Sequence, residues 1–259
     1  MKRTALKQMV DSGKIKQDLF KYRSISSENT DKIFTDHTLW FEHPNKFNDP
    51  FDCWANIQSV DLSGISCIIN RSGLSKQDKR ICELGKQSLT PQALKQAVDK
   101  VMSNLGVCCL GMDEKNILMW SHYSEDHKGI CLQFDVLEDS DFFTLAIPVR
   151  YVDQMPIYNH PDDEKFIFEK IIQPKSKCWE YEKEVRIVKT PSDINRNKNQ
   201  AFRFKPQSLK KVIFGCKATE ETIKKYRNLC LSNNLGHVEF SQMEQSKEGR
   251  FELIEIPLS

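Results

Sequence analysis

Side chains alternate most clearly in residues 178–188, which read Cys-Trp-Glu-Tyr-Glu-Lys-Glu-Val-Arg-Ile-Val. Aromatic and β-branched residues favour strands, and successive side chains of a strand point to opposite faces. The charged residues of even number would then share one face: Glu180, Glu182, Glu184 and Arg186. We predict one strand here. Its charged face is either a solvated, ion-paired surface or part of a functional site, because clustered acids shift one another's pKa values.

The rest of the chain alternates between short strand-like and helix-like segments. Apolar or alternating runs predict strands at 18–22, 38–42, 106–111, 129–134, 142–151 (one strand or two), 209–215, 237–242 and 251–256. Helical patterns and N-cap residues predict helices at 30–35, 91–102, 164–172 and 219–233. Residues 1–19 are expected to form a helix or a loose lead-in, and 119–123 a short helix or turn.

Two segments lie between these elements. Residues 43–52 contain prolines, asparagines and aspartates that favour turns. Residues 60–105 are polar and helix-prone, with glycines as breaks, and suggest a helical insertion. We see no repeat and no low-complexity linker. The prediction is a single α+β domain over residues 1–259, mostly antiparallel, with the helical insertion at 60–105.

Composition narrows the class of protein. The 259 residues are 39 % hydrophobic and 29 % charged, as in a globular protein with an ordinary core. The formal charge of +2 produces no global attraction to nucleic acid or acidic membranes. No apolar run approaches the ~20 residues that span a bilayer. The nine cysteines include no Cys-x-x-Cys pair, so we expect a reduced, cytoplasmic protein with no membrane partner.

Four motifs carry a family resemblance. They are Lys-Tyr-Arg at 21–23, Phe-Asn-Asp-Pro-Phe at 47–51, Met-Trp-Ser-His-Tyr at 119–123 followed by His127 and Gly129, and Trp-Glu-Tyr-Glu-Lys-Glu-Val-Arg at 179–186. Together they resemble a bacterial family known as domain of unknown function 2971, from about residue 20 to residue 215. The resemblance implies membership of that family and no particular activity.

The order of the charged and aromatic residues is also similar to that of ADP-ribosyltransferases. Those enzymes use an early Arg or His, a central Tyr or Ser and a late Glu, and here Arg23, Tyr123 and Glu184 stand in that order. The resemblance implies a split antiparallel sheet and NAD as the substrate. The pair of Glu182 and Glu184 is similar to the Glu-x-Glu of the arginine-modifying subgroup.

That resemblance implies roles for individual residues. Arg23 would bind the phosphates, because a guanidinium makes bidentate contacts with them. Tyr123 or Trp120 would stack on nicotinamide, and Glu184 would bond the ribose 2′-hydroxyl beside an oxocarbenium-like transition state. Glu182 would position or deprotonate the acceptor, a protein or a nucleic acid. The remaining candidates for NAD binding are Tyr22 and His122. The expected biological role is a toxin or antiphage effector, with an inhibitory partner.

Other functions stay open at this point. A metal-dependent nuclease would bring Asp49 or Asp52 together with Glu184 on a divalent ion. A partner-binding module would have an exposed apolar patch and no cavity. A zinc site is not predicted, because the five-residue spacing of His122 and His127 does not suit one helix face. No glycine-rich phosphate loop or Gly-x-Ser-x-Gly elbow occurs, which argues against a Rossmann dehydrogenase, a P-loop NTPase and an α/β-hydrolase.

Overall fold

The computed structural model describes residues 2–54, 56–57, 75–76, 91–158 and 167–258. Most of the helical insertion predicted at 60–105 lies outside these residues. Its last part is helical as predicted, from Pro91 to Met102. No helix in the described part of the chain has the length and apolar character needed to span a membrane.

Most α-helices of the described residues lie where the sequence predicts helical segments, but the helix at Pro191–Asn197 is not predicted. They are α1 (Lys2–Asp11), α2 (Glu28–Thr35), α3 (Pro91–Met102), α4 (Ile117–Tyr123), α5 (Pro191–Asn197) and α6 (Glu220–Ser232). The predicted N-cap of α6 is confirmed, because the Thr219 hydroxyl accepts a hydrogen bond from the Thr222 backbone. Of the predicted helix 164–172, residues 164–166 lie outside the described residues, and Ile167–Ile172 forms a π-helical turn.

The strands are β1 (Asp18–Arg23), β2 (Thr38–Trp40), β3 (Asn56–Ile57), β4 (Gly106–Gly111), β5 (Ile130–Asp135), β6 (Ala146–Pro148), β7 (Arg150–Val152), β8 (Ile157–Tyr158), β9 (Pro174–Ser176), β10 (Glu184–Lys189), β11 (Ala201–Arg203), β12 (Leu209–Phe214), β13 (Glu239–Gln245) and β14 (Leu253–Pro257). The main sheet has the order β14-β13-β12-β5-β1-β4-β10-β6, and β2–β11, β3–β8 and β7–β9 form small pairs. Within the main sheet only β12 and β13 pair in parallel. The predicted α+β class with a mostly antiparallel sheet is confirmed.

Alternation along the strands separates two faces of the main sheet. On β1, Leu19 belongs to the main core, whereas Phe20 and Tyr22 belong to a cluster that includes residues of α4. The main core also takes in apolar residues of α1, α2 and α6. On β10, Val185 and Ile187 face this core, and Val188 lies in a third cluster with residues of α3. Helices therefore cover both faces, and strands such as β4 are apolar on both sides, whereas β10 buries Glu184 and Arg186 on its second face.

The main sheet is nearly divided between β1 and β4. Strand β1 pairs with β5 along its whole length, but with β4 at Phe20 and Gly111. The side chain of Lys21 spans the opening, because its Nζ donates to the Cys109 carbonyl at 2.7 Å. The split that the transferase resemblance implied is therefore a local opening inside one continuous sheet, not a separation into two sheets.

The prediction of one strand over 178–188 is wrong in its first half. Residues Lys177–Glu182 form a 3₁₀ helix, and β10 begins only at Glu184. Lys183 separates the two with a left-handed backbone, φ 44° and ψ 50°. This turn breaks the alternation, so Glu180 is exposed while Glu182 and Glu184 are buried. The predicted common face holds for Glu184 and Arg186, which lie two apart on a true strand.

Candidate functional site

A cavity of about 250 Å³ lies where the sheet opens between β1 and β4, and we call it the Glu182–Glu184 cavity. Its walls come from both sides of the opening, from α4 and from the loop after β2. The lining residues are Phe20, Lys21, Tyr22, Lys46, Phe47, Asn48, Asp52, Cys109, Leu110, Gly111, Met119, Tyr123, Lys175, Glu182 and Glu184. Apolar walls with a few convergent charged groups are typical of a small-molecule site.

A buried lysine stands at the centre of the charged groups. The Lys175 ammonium bonds Glu182, bonds Glu184 at 2.9 Å and lies 3.6 Å from Asp52. Its side chain is 7 % exposed. Burial lowers the pKa of Lys175, but the charges of Glu184, Glu182 and Asp52 outweigh that effect and raise the pKa above its ordinary value. Lys175 is therefore a cation and not a nucleophile.

Arg186 fixes the opposite side of the cluster. Its guanidinium donates to both carboxylate oxygens of Asp52, at 2.8 and 2.7 Å, and to Glu184 Oε1 at 2.8 Å. It also donates to the carbonyl of Ile172 at 2.6 Å, and it is fully buried. Arginine suits such a site because its planar donors match a carboxylate bidentately. Nε and Nη2 together bind both carboxylate oxygens of Glu184 and orient it, while Nη2 alone binds Asp52 and so anchors the 47–54 loop to β10.

The environments of the two glutamates shift their pKa values in opposite directions. Burial raises the pKa of Glu182 above its ordinary 4.5, and the charge of Glu184 adds to this while Lys175 opposes it. Burial acts on Glu184 as well, but the charges of Arg186 and Lys175 outweigh it and hold the pKa of Glu184 below its ordinary value. One carboxyl is thus suited to exchanging a proton and the other to staying ionised.

The structure brings four of the seven predicted site residues to this cavity: Glu182, Glu184, Tyr123 and Tyr22. The Tyr123 hydroxyl donates to Glu182 Oε1 at 2.6 Å, and burial together with this bond raises the pKa of Tyr123. The Tyr22 hydroxyl donates to the Asp113 carbonyl at 2.7 Å. Tyr123 therefore orients one carboxylate oxygen of Glu182, while Lys175 holds the other.

The other three predicted residues do not line the cavity. Arg23 points to the α2 side of the sheet, where its guanidinium donates to Thr30 and Ser27. Trp120 is fully buried and contacts the edge of Tyr22, with its indole nitrogen donating to a backbone carbonyl. His122 is exposed, and its Nδ1 lies 3.2 Å from the Tyr181 hydroxyl. Their roles in NAD binding stay predictions.

Sequence reasoning missed several residues of the site. Nothing in the sequence indicates that Lys175 is buried, because Lys177 stands two residues away in a similar context and is 58 % exposed. Lys21 was seen only as part of a family motif. Tyr151 was also missed, although its hydroxyl accepts the Glu184 backbone N–H at 2.8 Å. These positions come together only through the pairing of distant strands.

The arrangement of acids resembles a metal site in part. Asp52 and Glu184 converge as the nuclease hypothesis predicted, with the Lys175 ammonium between them. Among the residues that the structure describes, no group of three or more His, Cys, Asp or Glu side chains is arranged to hold a metal ion. His122 and His127 belong to no such group of described residues.

A comparison with protein families supports the first resemblance. A family described as "Protein of unknown function (DUF2971)" matches residues 119–187. The matched segment runs from α4 to β10 and includes Tyr123, Lys175, Glu182 and Glu184. No curated protein and no solved structure matches the chain. The family resemblance is thus confirmed over the segment that carries most of the charged cluster.

Proposed function

We propose that this protein is an ADP-ribosyltransferase-like enzyme that cleaves NAD⁺ at the Glu182–Glu184 cavity. The observation that supports the proposal is a pair of buried carboxylates in one cavity, Glu182 and Glu184, which share the Lys175 ammonium and whose surroundings shift their pKa values in opposite directions. Enzymes that break glycosidic bonds use such a pair, with one ionised carboxylate and one that exchanges a proton. The cavity of about 250 Å³ is smaller than the ~300–1,000 Å³ that encloses a whole drug-sized ligand. It suits the nicotinamide riboside half.

The chemistry assigns a role to each carboxyl. The bond between ribose C1′ and the nicotinamide nitrogen breaks, and nicotinamide leaves as a neutral molecule with the electron pair. The positive charge then moves to the ribose, where the ionised Glu184 stabilises it. Glu182 accepts the proton of the attacking acceptor or water, as a general base. Phe20, Phe47 and Tyr123 supply aromatic walls for the nicotinamide ring.

The test measures nicotinamide release from NAD⁺ by purified protein, with and without cell lysate. We expect Glu184→Gln to reduce release by ~10²-fold or more, because a stabilising or proton-transferring group contributes about that much. Glu182→Gln should act in the same direction. Glu180→Gln is the matched control, because Glu180 is exposed and lies only two residues from Glu182. Folded protein that releases no nicotinamide, or equal release by E184Q and E180Q, would contradict the proposal.

A metal-dependent nuclease is the second candidate, favoured by the convergence of Asp52 and Glu184. A divalent ion there would have to displace the Lys175 ammonium from the carboxylates. The test is degradation of DNA and RNA with and without Mg²⁺. Activity that requires Mg²⁺ and is lost in Asp52→Asn, with no nicotinamide release, would favour the nuclease.

The remaining hypotheses concern the role of the protein in the cell. The partner-binding hypothesis predicted that there is no cavity, whereas the structure has one. It also predicted an exposed apolar patch, and exposed apolar side chains do line a surface groove at Leu118, Phe251 and Ile254. A toxin or antiphage role predicts that expression inhibits bacterial growth and that E184Q restores it. The same proposal includes a partner that inhibits the enzyme and a protein or nucleic acid that accepts the ADP-ribose.

A further inference from the structure

A second cavity shares Lys175 with the Glu182–Glu184 cavity. It has a volume of about 190 Å³, and we call it the Phe51–Trp54 cavity. Apart from the two aromatic residues, its walls come mainly from the segments after β7 and around β9. Because Lys175 lines both cavities, a ligand in one of them lies next to a ligand in the other.

The 47–54 loop divides its side chains between the two cavities. Asp52 turns inward to Arg186, and Cys53 is buried with a left-handed φ of 53°. The Asp49 carboxylate accepts a hydrogen bond from the Phe51 backbone N–H at 2.9 Å, and the Asp49 carbonyl accepts one from the Asp52 N–H at 3.1 Å. This conformation sends Phe51 and Trp54 to the second cavity. Non-glycine residues with positive φ are uncommon, so the backbone at Cys53 is in a conformation that the residue type does not favour.

Both aromatic side chains are unusually exposed for their size. Phe51 is 66 % exposed and Trp54 is 38 % exposed, although burying either ring would be favourable. Large apolar side chains exposed beside a cavity are typical of a binding site. Their flat faces suit a flat aromatic ligand.

Cations surround these rings. Lys170 lines the cavity, with its ammonium donating to the Ile157 carbonyl at 3.3 Å, and the Lys95 ammonium lies 4.9 Å from the centre of the Trp54 ring. Lys175 lines the cavity too, but its ammonium bonds Glu182 and Glu184. Asp153 also lines the cavity, but its carboxylate lies 3.7 Å from Lys177. Aromatic rings that stack with bases, combined with cations that contact phosphates, are the means by which proteins bind nucleotides.

We propose that the Phe51–Trp54 cavity is a nucleotide subsite that binds an aromatic base, with the attached phosphate near Lys95 and Lys170. Two sources would supply such a nucleotide. One is the adenylate half of the NAD⁺ molecule whose nicotinamide riboside occupies the first cavity, an assignment that rests on the proposed function. The other is a separate nucleotide, such as the end of a nucleic-acid acceptor.

The test is isothermal titration calorimetry of the full chain with AMP. We expect Trp54→Ala and Phe51→Ala each to weaken AMP binding about tenfold, within the range measured for removing one stacking ring. Phe251→Ala is the matched control, because Phe251 is fully exposed and lies at a different groove. Exposed positions tolerate alanine, and thermal melts verify that the variants are folded. AMP that does not bind the folded wild-type protein, or that binds W54A and F51A unchanged, would overturn the proposal.

Two further measurements distinguish the adenylate half of NAD⁺ from a separate nucleotide, and the subsite proposal from the proposed cleavage of NAD⁺. AMP that competes with NAD⁺ assigns the subsite to the adenylate half, whereas AMP that binds together with NAD⁺ assigns it to a separate nucleotide. AMP binding involves no bond cleavage. Absence of nicotinamide release with AMP binding intact therefore refutes the proposed function alone, and nicotinamide release without AMP binding refutes the subsite alone.

Discussion

Replacing Lys175 by methionine removes a buried ammonium and keeps a side chain of similar length. In the folded protein this ammonium contacts Glu182 and Glu184 and lies 3.6 Å from Asp52. Removing one partner of a buried ion pair costs about 3–5 kcal/mol, because the other charge stays buried without compensation. Arg186 still pairs with Asp52 and Glu184 in the variant, so the uncompensated charge belongs mainly to Glu182. We expect K175M to lose about 3 kcal/mol of unfolding free energy near pH 8.

The loss should depend on pH with a definite sign. Without Lys175, burial raises the pKa of Glu182 further above its ordinary 4.5. A carboxyl with a raised folded pKa favours the folded state most below its unfolded pKa, and that stability is lost as the pH rises through the folded pKa. In the wild type Lys175 stays protonated over this range, because its raised pKa lies above the ordinary 10.5, and its charge keeps the pKa of Glu182 lower than in the variant. The difference between K175M and wild type should therefore be largest near pH 8 and shrink towards pH 5.

Urea unfolding followed by circular dichroism at about pH 5 and about pH 8 measures this difference. Lys177→Met is the control, because Lys177 lies in the same segment, is 58 % exposed and is 3.7 Å from Asp153. Exposed pairs contribute up to about 1 kcal/mol, so K177M should be close to wild type at both pH values. Equal stability of K175M and K177M near pH 8 would refute the argument. So would a K175M loss that is the same at both pH values.

Three further substitutions probe the loop anchor and the backbone. Asp52→Asn should cost about 3 kcal/mol in urea unfolding, because it leaves the buried Arg186 guanidinium with one carboxylate partner fewer; a cost under about 1 kcal/mol would contradict the buried pair. Gly215→Ala should destabilise by about 1–3 kcal/mol or more, since a Cβ there would lie 2.0 Å from a backbone carbonyl oxygen, whereas Gly236→Ala meets nothing within 4 Å; equal melting temperatures of these two variants would contradict the predicted clash. Lys198→Gly should raise the unfolding free energy by about 0.5–1 kcal/mol, because Lys198 ends α5 with φ 62° and glycine relieves that left-handed conformation; a lower melting temperature would contradict it.

The strands and helices could be read from the sequence where local pattern and burial agree. Strand β4 is a continuous apolar run, and α6 begins at a threonine cap, so both were predicted within a residue or two. The predicted strand over residues 178–188 was wrong in its first half, because the backbone conformation of one residue, Lys183, interrupts it. Lys183 takes a left-handed backbone although lysine has no preference for it, and its own tertiary contacts accompany the turn: its ammonium donates to Asp113 at 2.8 Å and its carbonyl accepts from the Met112 N–H at 3.1 Å. Alternation alone does not reveal such a residue.

The candidate site was predicted only in part, because some of its residues are placed by local geometry and others by tertiary contacts. Glu184 and Arg186 share a face because strand geometry is local, and that much follows from spacing. Lys175 and Lys177 are indistinguishable in sequence, yet one is buried among three carboxylates and the other is exposed.

The sequence by itself determined the α+β class, the positions of most strands of the main sheet and the acidic character of the candidate site, but not helix α5 or the short strands β3, β8, β9 and β11. The features that it determined depend on side-chain periodicity and capping, which act over a few residues. The tertiary structure decided that β1 and β4 separate at Lys21, that Lys175 neutralises the glutamates, and that Phe51 and Trp54 face a second cavity. Those outcomes depend on which charges and strand edges come together in the folded chain. Breaking a buried ion pair changes the free energy of unfolding by several kcal/mol, and such pairs are buried only in the folded state.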